Sequence, residues 1–172
     1  GKNVTNGAVV VLNVKTGEIL AMVGSEDFND ETIDGQVNVT LRPRQPGSSI
    51  KPLTYLAAFE RGGTPSTLIM DVPVEYPDGA GGIYKPVNYD DKFHGPVLLR
   101  GALANSYNVP AVKALQFVGI YDNPDTAEVD GLIPFAERMG ITTLIRDDYG
   151  LSLTLGGGDV SLLELTGAYA VF

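Results

Sequence analysis

Two β-rich runs near the start of the chain, residues 7–14 (GAVVVLNV) and 18–24 (EILAMVG), are separated only by Lys15-Thr16-Gly17. Apolar, β-branched stretches joined by a short glycine-bearing turn predict an antiparallel hairpin. A hairpin alone cannot cover its own apolar face, so the remainder of the chain has to pack on it. That remainder reads as helix. Leu53, Leu56, Ala57 and Phe59 recur at helical spacing in a segment that runs to about Arg61 and is stopped by Gly62-Gly63. A second helical segment, roughly 97–118, carries Leu99, Leu103, Val112 and Leu115, and a third runs from about Leu132 to Met139 before Gly140. The last follows Gly156-Gly157-Gly158, with Asp159 as a candidate cap and Ser161 to Glu164 matching a capping box. A hairpin followed by helices is an α+β pattern. Residues 64–100, rich in Pro, Gly, Asp and Tyr, read as long irregular structure with short extended pieces such as Val72 to Tyr76; such a stretch commonly lines a site.

Composition narrows the chemistry by exclusion. A chain of 172 residues that is 44% apolar buries a core of its own. Its formal charge of -9 argues against nucleic acid as a partner, because a phosphate backbone needs a basic surface. No cysteine is present, which removes disulfides, thiol nucleophiles and cysteine-bound zinc. The longest purely apolar run, Ala8 to Leu12, suits a buried strand and is far too short for a membrane span. Asp27, Asn29 and Glu31 have calcium-loop spacing but lack the glycine such a loop requires, so Asp27 to Asp34 reads as a solvated acidic loop. The triple glycine has no lysine at phosphate-loop spacing and reads as a tight turn into a helix. The single histidine, His94, sits in the turn-like Asp90-Asp91-Lys92-Phe93-His94-Gly95-Pro96 and reads as a surface loop residue.

The candidate chemistry starts at Arg44-Gln45-Pro46-Gly47-Ser48-Ser49-Ile50-Lys51-Pro52. Gly47 breaks the extended stretch before it, so Ser48 falls at a helix N-terminus with Lys51 one turn later on the same face. A serine hydroxyl becomes a nucleophile when a base takes its proton, and a desolvated lysine amine is such a base. The alternative is a capping serine followed by a solvated lysine. A second polar group, Asn105, Ser106 and Asn108, interrupts a helix-like apolar stretch just before Pro110. It reads as a turn between two helices presenting a hydroxyl and an amide. Nucleophile, amine and second hydroxyl form an acyl-transfer set that uses neither histidine nor a cofactor.

Pro46-Gly47-Ser48-Ser49-Ile50-Lys51-Pro52 followed by Ser106-Tyr107-Asn108 resembles the transpeptidase domain of penicillin-binding proteins, the class A (bifunctional) type in particular. Tyr84-Lys85-Pro86-Val87-Asn88-Tyr89 and the run from Phe93 to Leu103 are similar to the family's approach to its second motif. Residues 7–24 resemble its opening hairpin, and Leu151 to Gly158 with Leu163 to Ala170 a later helix. The resemblance implies a serine β-lactamase/penicillin-binding-protein-like fold. It also implies that Ser48 attacks the D-Ala-D-Ala carbonyl of a peptidoglycan stem peptide, and that β-lactams acylate the same serine. Lys51 then matches the general base and Ser106 the hydroxyl that relays a proton to the leaving nitrogen. Asn108 matches the amide that holds the substrate.

The family's third motif, Lys-Thr/Ser-Gly on an edge strand, comes after the helical region, and the chain ends at Phe172 before reaching it. Lys15-Thr16-Gly17 has the right letters but lies in a hairpin turn. The expectation is therefore the N-terminal and helical portion (residues 1–172) of one transpeptidase domain, with an incomplete antiparallel sheet and an exposed edge that favours self-association. Weak or absent activity of the isolated segment is expected, since the missing strand supplies an oxyanion-hole N–H. By resemblance the longer protein is anchored to the cytoplasmic membrane and works outside it. Two other readings remain open at this level. A β-lactamase or D,D-carboxypeptidase would need a carboxylate to activate water, for which Glu128 and Glu137 are candidates by charge alone. A β-lactam sensor would keep the pocket without turnover.

Overall fold

The structure, a computed structural model, describes residues 4–79, 81–123, 125 and 131–172. The chain divides into two compact units, one of residues 1–45, 136–145 and 159–172, the other of residues 46–135 and 146–158.

In the first unit, β1 (Val9–Leu12) and β2 (Ile19–Val23) form the expected antiparallel hairpin, with Val9 opposite Val23 and Val11 opposite Ala21. The register shifts between Val11 and Leu12. Gly17 closes the turn at φ +74°, donating its N–H to the Asn13 carbonyl at 2.8 Å. The left-handed backbone there is what a glycine supplies without steric cost. Lys15-Thr16-Gly17 is therefore a hairpin turn and not a strand. Between Asp27 and Asp34, aspartate side chains cap their own backbone: Asp27 accepts from the Asn29 N–H and Asp30 from the Thr32 N–H and hydroxyl.

The final helix of this unit packs against β1. Its cap is Ser161, whose hydroxyl accepts the Glu164 N–H at 3.2 Å while the Glu164 carboxylate receives the Ser161 hydroxyl at 3.1 Å. Ser161 takes the place expected of Asp159 because its oxygen reaches the N–H of the third helical residue, the cap-side half of a capping box.

In the second unit a tight 3-10 turn, Gly47–Ile50, leads into α1 (Lys51–Glu60). The region expected to be irregular holds two small sheets. β3 (Leu68–Asp71) pairs with β6 (Gly95–Leu98), and between them β4 (Tyr76–Pro77) pairs with β5 (Ile83–Tyr84). Of the expected extended piece Val72 to Tyr76 only Tyr76 is strand, in β4, and β3 ends just before it at Asp71. The β3–β6 pairing joins segments far apart in sequence, so no local pattern announces it. The helical stretch over 97–118 is two helices separated at the expected polar turn, α2 (Leu99–Ala104) and α3 (Asn108–Val118), with Val97 and Leu98 in β6 instead of helix.

Tyr55, Leu99, Ala102, Ala111 and Ala114 form a buried cluster where α1, α2 and α3 meet. Small residues at 102, 111 and 114 let the helix backbones approach closely, and Tyr55 fills the volume they leave. A second 3-10 turn, Leu151–Leu155, packs against α3, and its Thr154 hydroxyl meets that of Thr54 on α1 at 2.8 Å. α1, α2 and α3 are thus packed together beside the turn that carries Ser48. The fourth helix, α4, is Leu132–Arg138, and the helix capped by Ser161 is α5 (Leu162–Tyr169).

Candidate active site

Gly47, at φ +57°, reverses the chain into the 3-10 turn. Pro52 then occupies the first turn of α1, where a missing N–H costs no hydrogen bond. Ser48 is exposed and Lys51, one turn on, is only 1% exposed. Neither the 3-10 turn nor α1 takes a side-chain cap, so Ser48 is not a capping serine. Nor is Lys51 solvated. Both halves of the ordinary structural alternative fail.

The Lys51 amine reaches the turn between α2 and α3. Nζ donates to the Ser106 carbonyl at 2.6 Å and to Asn108 Oδ1 at 2.7 Å, with Ser106 Oγ at 3.1 Å and the Tyr107 carbonyl at 3.4 Å. Ser106 makes this possible by adopting a left-handed backbone, φ +55°, which turns its carbonyl towards the amine. A non-glycine residue in that region stores about 1–2 kcal/mol, and it is held there by its surroundings. Asn105 does something different: its Nδ2 donates to the Gly101 carbonyl at 2.9 Å and finishes α2. Asn108 Nδ2 donates to the Val87 carbonyl at 2.8 Å, which leaves Oδ1 facing Lys51.

Burial lowers the Lys51 pKa from 10.5 to about 8. The oxygen acceptors around Nζ pull the other way, since they suit an ammonium. Among them only Ser106 Oγ carries a proton of its own. A neutral amine therefore turns its lone pair to a hydroxyl, that of Ser106 or that of Ser48. Ser48 Oγ is not among the groups bonded to Nζ, so the resting amine is engaged with the 106–108 turn.

His94 is not a free surface residue. Its Nδ1 lies 2.6 Å from Asp71 Oδ2 and its Nε2 3.2 Å from Asp90 Oδ2, and its ring stacks on Tyr107 with centroids 3.9 Å apart. Asp71 is fully buried. The sequence shows Asp90 nearby but gives no sign of Asp71. Gly156 is a further residue that motif reading missed. At φ +95° it lies against Gly47, and a β-carbon there would collide with the Gly47 nitrogen and Cα. The triple glycine thus lets the 151–156 segment back directly onto the turn that presents Ser48. Glu137 is exposed on α4, and Glu128 lies outside the described residues. Among the described residues no three His, Cys, Asp or Glu side chains gather as a metal site, and no helix is long and apolar enough to cross a membrane.

The family model of the penicillin binding protein transpeptidase domain matches residues 7–140. The chain belongs to this family. Penicillin-binding protein 1A of Rickettsia conorii is 35% identical over 167 residues, which are 96% of this chain and 19% of that protein. Penicillin-binding protein 1A of Neisseria lactamica is 34% identical over 168 residues, with the same shares. These relatives agree with the class A resemblance of the motifs. The solved structure of penicillin-binding protein 1A from Haemophilus influenzae superposes with a TM-score of 0.81 at 34% identity, covering 96% of this chain and 23% of that one. The PonA1 protein of Mycobacterium tuberculosis, solved in complex with penicillin V, has a TM-score of 0.74 at 20% identity over 95% of this chain and 42% of that one. That likeness is one of fold. The α+β class expected from the sequence holds, and the chain spans about a fifth of the length of the curated relatives it matches.

Proposed function

We propose that residues 1–172 are the N-terminal and helical portion of one D,D-transpeptidase domain and carry the nucleophile, base and proton relay of its acyl transfer. The observation that carries the reading is the Lys51 amine, buried against Ser106 and Asn108 one helical turn from an exposed Ser48 hydroxyl. With its pKa near 8, roughly a tenth of the amine is neutral at pH 7, against about 0.03% for an unperturbed lysine.

In this mechanism the neutral Lys51 takes the Ser48 proton as Oγ bonds to the carbonyl carbon of a stem peptide ending in D-Ala-D-Ala. Backbone N–H groups at the start of the turn face the developing oxyanion. Collapse breaks the peptide bond, and the proton passes from the ammonium through the Ser106 hydroxyl to the departing D-alanine nitrogen. Asn108 holds the substrate backbone. An amine from a neighbouring strand then displaces Ser48 and forms the crosslink. A β-lactam takes the same route to an acyl-enzyme, its leaving nitrogen remaining tethered. General-base assistance contributes about 10²–10⁴-fold to such a step.

The longer protein acts on peptidoglycan outside the cytoplasmic membrane, to which it is anchored. β1 and β2 leave Val9, Val11, Ile19, Leu20 and Val23 exposed, a surface suited to strand addition, and a second copy is one occupant. Sedimentation of the isolated segment tests self-association.

The main test is intact-protein mass spectrometry of the full-length protein with benzylpenicillin. A stoichiometric adduct on the Ser48 peptide, absent from Ser48→Ala, is expected. Adduct formation that survives Ser48→Ala refutes the assignment. The isolated segment is expected to acylate slowly or not at all, and rapid stoichiometric labelling there contradicts that expectation.

A further inference from the structure

α3 starts at Asn108 without a cap of its own, because Tyr107 offers no side-chain acceptor to the first N–H groups. The acceptor comes from elsewhere. Asn88 Oδ1 receives the N–H of Asn108 at 2.7 Å and that of Val109 at 3.2 Å. Asn88 is itself only 2% exposed, and its amide is held the right way round by acceptors on its other side. Nδ2 donates to both Asp71 oxygens, at 3.0 and 2.8 Å, and to the Lys92 carbonyl at 2.7 Å. An amide whose N–H₂ is so engaged has to aim its oxygen at α3.

The same Asp71 carboxylate receives the His94 backbone N–H at 3.0 Å in addition to the ring contact at 2.6 Å. His94 in turn covers the face of Tyr107, the residue between Ser106 and Asn108. One fully buried carboxylate thus orients two side chains, and those two grip consecutive residues of the turn that Lys51 engages. A buried charge is costly unless fully hydrogen-bonded, and among the described residues the side-chain bonds of this one come from Asn88 and His94, which lead to residues 107–109. An ordinary local cap would satisfy the helix end without it.

We propose that Asp71, Asn88 and His94 are positioning residues of the acyl-transfer site. They hold the strained Ser106–Asn108 turn at the distance where Ser106 Oγ and Asn108 Oδ1 meet the Lys51 amine. The proposal deepens the function given above and rests on it. They act through the turn and not on the reacting atoms themselves in this proposal.

The test is a mutant cycle in the full-length protein, read by the second-order rate of acylation by a fluorescent penicillin. Misplacing a reacting group by about 1 Å costs on the order of 10²-fold. Asn88→Ala is expected to slow acylation ~10–100-fold, and to add less than about threefold on top of Ser106→Ala, because both act on one element. Full additivity, or an Asn88→Ala rate within threefold of wild type, overturns the proposal. His94→Ala and His94→Phe provide a second arm should Asn88→Ala not fold. His94→Phe keeps the stack on Tyr107 but loses the ring bond to Asp71, so both variants are expected to slow acylation, His94→Ala by about tenfold and His94→Phe by less; wild-type rates for both overturn it. Amide hydrogen exchange at Asn108 and Val109 supplies a readout independent of penicillin. Protection there is expected to collapse in Asn88→Ala, and unchanged protection defeats this inference. Labelling that survives Ser48→Ala instead defeats the acyl-enzyme reading beneath it, so the two fail separately.

Discussion

Varying pH across the titration of Lys51 tests whether its amine is the base. With a pKa near 8, the neutral fraction is ~1% at pH 6, ~9% at pH 7 and ~90% at pH 9. Acylation limited by that fraction therefore rises about ninefold from pH 6 to 7 and about fivefold from pH 7 to 8, and levels off near pH 9. A lysine left at its ordinary 10.5 would keep the rate rising through pH 10. The measurement is pseudo-first-order labelling of the full-length protein by excess fluorescent penicillin, with Lys51→Arg as the form that stays protonated. That variant is expected to lose at least ~10²-fold. A rate flat from pH 6 to 8 refutes a titrating amine, and a slope that persists beyond pH 9 refutes its depression by burial. Stability supplies an independent check. The folded pKa lies below the unfolded one, so the cost of burying the ammonium is fully present below pH 8. Between pH 8 and 10.5 the unfolded chain binds the extra proton, and stability rises with pH by about 1.4 kcal/mol per unit, towards about 3 kcal/mol in all. Lys51→Met lacks this gain, and wild type minus Lys51→Met in urea titrations isolates it.

Ser106→Gly and Ser106→Ala both remove the hydroxyl beside Lys51, and both are expected to slow acylation ~10–100-fold. The glycine variant relieves the left-handed strain, so its melting curve should lie about 1 kcal/mol above that of the alanine variant; equal stabilities would show that φ +55° is not strained. Gly156→Ala drives a β-carbon into Gly47 at a backbone angle alanine resists, and is expected to cost about 2–4 kcal/mol and displace Ser48, measured by denaturation and penicillin labelling together. A neutral Gly156→Ala would show that the 151–156 segment does not brace the turn. Tyr55 is 1% exposed, and its hydroxyl has no hydrogen-bond partner among the described residues; burial, with Asp71 adding to it, pushes its pKa up. Tyr55→Phe is therefore expected to be neutral or to stabilise by about 1–2 kcal/mol, and a loss of stability in calorimetry would reveal a bond that the hydroxyl makes.

Much of the site was legible because its residues lie close to the breaks in the pattern. Gly47 ahead of a helical run places Ser48 and Lys51, and a polar group inside an apolar run marks Ser106 and Asn108. The helix boundaries followed from the same signals, except where β6 claimed Val97 and Leu98. Local reading failed for residues whose meaning lies in a distant partner. Asn105 looked equivalent to Ser106 and Asn108, yet it turns back to finish α2. Asp71 and Asn88 carry no local motif of their own, and the turn-like context of His94 reads as a surface loop. The triple glycine announced a turn but not that Gly47 lies against it.

By itself the amino-acid order determined the α+β succession, the hairpin turn at Gly17 and the one-turn offset between hydroxyl and amine. Those depend on backbone preferences and periodicity within a few residues, which act in any tertiary setting. Only the folded chain decided where the amine points, which acceptors surround it and how far burial lowers its affinity for a proton. Those outcomes require α1 to meet the α2–α3 turn, with Asn88 and His94 closing on that turn from the other side. Desolvation and hydrogen-bond geometry are properties of the assembled pocket, and no residue carries them alone.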